Sequence, residues 1–360
     1  MTDIAQGIAS ANGLLAASRL RAAIMLGAFA LVALVAFAAL HRARTAGHLL
    51  VVAYDGSREY AEEVNHALAA KGWRFGATRV VHDGSVQQVA NLLRGIPGDV
   101  ALLSSPADID AVARKRTVIR PSVVLPQIRE DSPNHTTIVF LVRAGNPKHI
   151  GDWQDLRRRE ISVLIPDPSV SGAGRMAYLA CVAEGQGWSG APGGQRDPAL
   201  AWAVFTRARL LRMGARRAMQ VFLECKDADV LLTWENEAHR AAQAAGSNLV
   251  EVVYPTRSLR AEPVAAVIGG QADGSEVGEP ARAWLEFLHS AQGQEVAARV
   301  FLRPNDRSGI PMHRSLRDIE LIPVSAVFEN WTSAWAQHFE AGGTFSVIEE
   351  ARLALHGGRE

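Results

Sequence analysis

Five short stretches carry the residue types that could do chemistry in this chain. Asp55-Gly56-Ser57, Asp83-Gly84-Ser85, Ser171-Gly172-Ala173-Gly174 and Gly214-Ala215 each set small residues ahead of a helical pattern, and Trp234 closes an apolar run. Helix N-termini present unpaired N–H groups and a partial positive charge, and small residues let an anion approach that backbone closely. An indole N–H can only donate. Taken singly, each loop reads as an ordinary helix cap. Four such loops joined by a strand-end tryptophan describe an anion site built from donors.

Competing chemistries fit less well. Gly172-Ala173-Gly174-Arg175-Met176-Ala177 matches the G-x-G-x-x-A dinucleotide pattern, but Pro166-Asp167-Pro168 separates it from the preceding strand. No acidic residue closes a second strand about 20 positions on, as that fingerprint requires. Glu235 and Glu237 could be offered as a catalytic carboxylate pair, yet acids in the first turn of a helix serve its dipole. There is no P-loop and no H-E-x-x-H, and the eleven histidines are scattered. An enzyme is therefore not expected, nor a cofactor or a metal. Cys181 and Cys225 are the only cysteines, too few for a disulfide scaffold or a four-thiolate zinc site. A single disulfide stays open if the chain is exported.

The elements that must position these loops alternate between strand and helix. Leu49 to Tyr54 reads as a buried strand ending at Asp55, followed by a helix from Arg58 to Lys71. Val80-Val81 leads into the Asp83 loop and a helix from Val86 to Arg94, and Asp99 to Leu103 is the next strand. A second set begins at Thr137 to Val142 and Ile161 to Ile165. Val230 to Trp234 delivers the tryptophan to a strand end, and Pro263 to Ile268 reads as a strand returning to the first set. Gly185 to Pro198 reads as a loop, and single helices are expected over Ala281 to Phe301 and Val324 to Glu340. Strand, small-residue loop, helix is the grammar of a mainly parallel α/β sheet, whose ligands sit beyond the carboxyl ends of the strands.

At 360 residues the chain is long enough for two such units and an appendage. A formal net charge of +1 leaves no basic excess for a nucleic-acid surface, and Arg157-Arg158-Arg159 reads as a solvated edge. The appendage is the uncharged run Ala22 to Leu40, nineteen residues, which can span a bilayer. It predicts a membrane anchor at 22–40 behind a cytoplasmic segment at 1–21. A cleaved signal peptide is the rival reading, but the Ala-Phe-Ala of 36–38 lies inside the apolar run and Arg42 and Arg44 follow it.

Longer matches carry a family resemblance from about Leu49 to Ile348. They are Tyr54-Asp55-x-x-Arg58-Glu59, Thr137 to Arg143 with Gly145-Asn146-Pro147-Lys148, and Asp229-Val230-Leu231-x-x-Trp234-Glu235-Asn236-Glu237-Ala238. Arg303-Pro304 and His338-Phe339 with Gly342-Gly343-Thr344-Phe345 follow in order. In these the chain resembles the periplasmic sulfate-binding proteins of ABC importers. The resemblance implies a two-lobed type II periplasmic-binding fold, α/β with mixed, mainly parallel sheets. Lobe 1 would be 48–136 with 262–360, and lobe 2 would be 137–261. It implies a periplasmic location at the inner membrane, ABC permease subunits as partners, and sulfate or a related oxyanion as ligand. The family's ligand positions fall on Ser85, Ser171, Gly172, Ala173, Ala215 and Trp234, with Asp55, Arg175 and Arg216 in support.

The chain departs from the family where Asp83-Gly84-Ser85-Val86 replaces Gly-Gly-Ser-Gly. A carboxylate then stands two residues from a ligand serine, and Asp83 becomes a candidate modifier of specificity. Ser171-Gly172-Ala173-Gly174-Arg175 replaces Ser-Gly-Gly-Ala-Arg, which keeps the backbone donors. The anchor also departs from a freely diffusing protein. It motivates a second expectation, a membrane-anchored sensor or accessory protein that keeps the binding fold.

Overall fold

Two sheets organise the chain, and each loop singled out above leaves the carboxyl end of one of their strands. The computed structural model describes residues 49–73, 75–119, 132–190, 199–246, 248–268 and 278–356. The 22–40 run lies outside the described residues, and among those described no helix is long and apolar enough to cross a membrane.

In chain order the strands are β1 (Leu49–Tyr54), β2 (Thr78–Asp83), β3 (Val100–Leu103), β4 (Asn134–His135), β5 (Ile138–Arg143), β6 (Val163–Pro166) and β7 (Arg209–Leu211). They continue as β8 (Val230–Trp234), β9 (Val250–Val253), β10 (Arg257–Arg260), β11 (Val264–Val267), β12 (Arg303–Pro304) and β13 (Glu320–Pro323). The first sheet has the order β11-β3-β1-β2 and the second β7-β6-β8-β5-β9. β1 runs parallel to β2 and β3, and β6 parallel to β7 and β8. β11 and β5 run against their neighbours, so both sheets are mixed. A sheet strand such as Ile138–Arg143, apolar on both faces and buried through Val142, carries no sequence mark of its direction.

The chain passes between the sheets through β4, a bridge from Thr136 to Ala261, and two short ladders, β4 with β12 and β10 with β13. Both sheets and these ladders belong to one compact unit. Six helices concern the site: α1 (Arg58–Ala70), α2 (Ser85–Leu93), α3 (Pro106–Ile119), α4 (Gly172–Gly185), α5 (Ala215–Glu224) and α6 (Glu235–Ala245). Val52, Leu92, Leu103, Ile109 and Val112 pack one face of the first sheet under α2 and α3. Val139, Leu231, Phe222 and Ala238 do the same for the second sheet under α5 and α6.

Two expected helices are each broken. Gly278–His289 and Ala291–Arg299 meet at Ser290, whose Oγ accepts from Gly293 N and donates to Phe287 O, closing one helix and capping the next. Val324–Phe328 and Trp331–His338 meet at Glu329, with a φ of 68°, and at Asn330, whose side chain accepts from Ser333 N. The expected loop after Gly185 begins with a helical turn at Gly187–Gly190, and 191–198 lies outside the described residues. Cys181 and Cys225 are both free thiols, so the disulfide left open by the sequence is not formed.

Candidate anion site

Three helices begin at the cleft between the sheets, and in none of the three does the residue before the helix cap it with its own side chain. Gly84 precedes α2, Ser171 precedes α4 and Gly214 precedes α5. Away from the cleft, Asp152, Ser290 and Asn330 each cap a helix start through a side-chain oxygen. The first N–H groups of a helix have no intrahelical partner, so an uncapped start leaves them for something else.

The three starts are in contact. A Cβ on Gly172 would stand 2.0 Å from Ser104 Oγ and 3.3 Å from Ser85 Cβ, so only glycine lets α4 approach the first-sheet loops this closely. A Cβ on Gly214 would stand 2.1 Å from Asp55 Oδ2 and 3.3 Å from Gly84 N, which fixes α5 against both first-sheet loops. Asn236 Nδ2 donates to Gly56 O at 2.6 Å, and Tyr54 packs edge-on to Trp234 at 6.0 Å between ring centroids. The structure thus brings Asp55, Ser85, Ser171, Gly172, Ala173, Ala215 and Trp234 to one place, all of them buried.

Among these residues two side-chain donors have no partner. Trp234 Nε1 and Ser171 Oγ are buried without a hydrogen bond, although their residues are only 1% and 0% exposed. Burying a polar group unpaired costs about 1 to 3 kcal/mol, so two at one spot mark a place for an acceptor. Ser85 differs from this expectation, because its hydroxyl donates to Asp108 Oδ2 at 2.7 Å and accepts from Ser104 N at 3.0 Å. What it offers the cleft is the backbone N–H of the first α2 residue.

The nearby cations are held back from the cleft. Arg216 donates from Nε and Nη2 to Glu237 at 2.6 and 2.7 Å and from Nη2 to Glu59 at 2.6 Å. Arg175 donates to Pro168 O, stands 3.8 Å from Asp108, and lies 3.6 Å over the Trp335 ring. Burial pulls the Arg175 guanidinium down to about 10, against the attraction of Asp108 and Asp167. Both arginines brace loops. Asp55 accepts from Gly56 N and Arg216 N, and burial pushes it up to about 6 while those two N–H groups hold it down and Asp83 adds to the rise. Asp83 itself is exposed, with Oδ1 accepting from Gly84 N at 2.8 Å.

Sequence reasoning missed Ser104 and Asp108, which hold Ser85 from behind. The signal was present: Ser104-Ser105-Pro106-Ala107-Asp108 follows a buried strand and opens a helix, the same pattern as the four chosen loops. Glu235 and Glu237 prove to be ion-paired, Glu235 with Arg303 and Glu237 with Arg216, rather than free carboxylates. Among the described residues no cluster of His, Cys, Asp or Glu could hold a metal.

A model of the family described as bacterial extracellular solute-binding protein matches residues 33–302. The chain belongs to this family. Among its relatives, the sulfate-binding protein of Escherichia coli is 36% identical over 313 residues, 84% of this solute-binding protein and 93% of the relative. The thiosulfate-binding protein of Pseudomonas aeruginosa is 32% identical over 314 residues, covering 85% and 93%. In structure the solute-binding protein is similar to the sulfate-binding protein SubI of Mycobacterium tuberculosis. The TM-score is 0.66 at 25% identity, over 81% of this chain and 99% of that one. The two-lobed α/β fold is therefore that of periplasmic binding proteins.

Proposed function

We propose that this chain is the extracytoplasmic binding component of a sulfate-type ABC importer, and that it holds sulfate or a similar tetrahedral oxyanion between its lobes. The observation that carries the reading is the pair of buried, unpartnered donors, Trp234 Nε1 and Ser171 Oγ, beside three helix starts that the preceding residue does not cap with its side chain. Sulfate at neutral pH is a dianion with no proton to give, so a pocket of donors satisfies it and leaves an anion that must donate without an acceptor. The ligand set is Ser85, Gly172, Ala173 and Ala215 through the backbone and Ser171 and Trp234 through side chains. Asp55, Arg175 and Arg216 position the loops. No guanidinium needs to meet the anion, because the helix N-termini supply the positive potential.

The chain works as a binding protein, not an enzyme. Its lobes are 48–136 with 262–360 and 137–261, and closure around the anion presents a shape that permease subunits can recognise. The run at 22–40 ties it to the outer face of the inner membrane, which confines it near those subunits.

Replacing Trp234 with Phe tests the reading, since it keeps a ring and removes the donor. A charge-assisted hydrogen bond contributes roughly 1.5 to 3 kcal/mol, so calorimetry should show sulfate affinity down about tenfold or more. Thiosulfate, molybdate and phosphate titrated beside it rank the anion class. Unchanged affinity in a folded variant would remove Trp234 from the site.

A further inference from the structure

Asp83 is an exposed acidic side chain that touches a cleft helix start. Its Oδ1 accepts from Gly84 N at 2.8 Å, and Gly84 is the residue that opens α2. The same N–H lies at the crossing of three loops: Gly84 N is 3.3 Å from where a Gly214 Cβ would stand, and Gln87 N reaches across to Val170 O at 3.4 Å. Burial raises Asp55, whose Oδ2 accepts from the residue after Ala215, and Asp83 adds a smaller push in the same direction. Unlike Asp55 it is exposed, on the outward side of β2, where burial alternates along the strand. Its carboxylate is therefore open to screening by salt.

From this placement we infer that Asp83 is a brake on the anion site: its negative charge at the α2 N-terminus opposes the bound dianion and speeds its release. The inference rests on the reading of the cleft as an oxyanion site. A carboxylate at a helix N-terminus offsets the partial positive charge that would otherwise act on the ligand. It also takes up one of the N–H groups that the start leaves open. Since like charge acts on a ligand already docked, the effect falls mainly on the dissociation rate. A chain that delivers its ligand to a permease gains faster hand-over at some loss of affinity.

The test compares wild type, Asp83→Asn and Asp83→Gly in the full chain, by sulfate calorimetry and by stopped-flow dissociation. Asparagine keeps an oxygen for Gly84 N and removes the charge. Asp83→Asn should bind sulfate about three to ten times more tightly, with slower dissociation, and its advantage should shrink as ionic strength rises from 0.02 to 0.5 M. Asp83→Gly should show the same gain. Equal affinity of Asn and wild type overturns the brake. So does a change confined to the glycine variant, which would assign the effect to the loop and not to charge. If wild-type protein binds neither sulfate nor thiosulfate, the reading of the cleft itself fails and the inference falls with it. Melting temperatures of the three proteins keep a folding defect separate from each of these outcomes.

Discussion

Two buried arginine–glutamate pairs stand on either side of Trp234, and they are built for different jobs. Glu235 and Glu237 both lie in the first turn of α6 and both are fully buried. Glu235 faces the hinge ladders, where Arg303 of β12 donates to both its oxygens at 2.8 and 2.7 Å and to Arg317 O at 2.6 Å. Glu237 faces the cleft, where Arg216 grips it and also reaches Glu59 on α1 beside the other sheet. The Arg303 side chain is 6% exposed and the Arg216 side chain 15%, with Glu59 at 21%. Burial raises both glutamates above the ordinary carboxylate range, and in each the paired guanidinium pulls back. The hinge pair is the more deeply buried of the two, the pivot in this comparison. The cleft side is the more solvated, and there the Arg216 contact to Glu59, unlike its bond to Glu237, can separate without leaving a charge in a dry interior.

The largest expected effect would break this comparison if it came out even. Removing one partner of a buried pair typically costs about 3 to 5 kcal/mol, because the other charge is left without compensation. Arg303→Ala should lose that much in urea unfolding. Arg216→Ala should lose less, as Arg216 is the more exposed guanidinium and its removal opens Glu237 toward the cleft, while its sulfate affinity falls more steeply than its stability. Equal stability losses at the two sites would show that the cleft pair is as dry as the pivot.

Acid should act more strongly at the far end of the cleft helix than at its mouth. On α4, Tyr178 packs against His338 and Phe345 and meets Thr344 Oγ1 at 2.8 Å, while His338 Nδ1 meets the same oxygen at 2.6 Å. Burial lowers His338 from 6.5 to about 4. A base with a depressed folded value gives stability that is complete above pH 6.5 and is lost as pH falls toward 4, at most about 3 kcal/mol for this shift. Asp55 runs the other way: raised from 3.8 to about 6, it binds a proton more readily when folded and so adds stability as pH falls through 6. His338→Gln should flatten the acid loss between pH 6.5 and 4, and Asp55→Asn should steepen it. A wild-type curve level across that window, unchanged in His338→Gln, would put the imidazole in contact with water.

Much of this was legible in the sequence, and the gaps have physical reasons. The strands at Leu49–Tyr54 and Val230–Trp234 stand where the apolar runs put them, since polar residues bound them closely, His48 and Asp55 around the first and Asp229 and Glu235 around the second. Loop convergence followed from the rule about strand ends. The direction of the Ser85 hydroxyl did not, because its partner Asp108 is 23 residues away and joins it only when β3 is laid beside β1. Asp83 could have been placed: period two along β2 sets it on the face of Arg79 and Val81, and Val81 is 38% exposed. The breaks at Ser290 and Asn330 were visible as capping residues, overridden by the apolar periodicity on either side.

The smallest effect concerns the reach of the cleft pair across to the first sheet. Glu59 meets Arg216 Nη2 at 2.6 Å and also pairs with Arg240, so one carboxylate on α1 gathers two guanidinium groups from α5 and α6. This contact joins α1 to α5 across the two sheets, whereas the Arg216 bond to Glu237 lies within α5 and α6. Ion pairs with partly exposed partners contribute about 0.2 to 1 kcal/mol and weaken with salt. Glu59→Gln keeps oxygen and size but drops the charge, so unfolding free energy should change by under about 1 kcal/mol. Sulfate should leave roughly two to five times faster with its association rate unchanged, because the contact forms after docking. Stopped-flow tryptophan fluorescence follows both rates, and 0.5 M salt should bring variant and wild type together. If dissociation is the same at low salt, Glu59 does not hold the lobes shut, and the distinction between pivot and latch reduces to a difference in depth alone.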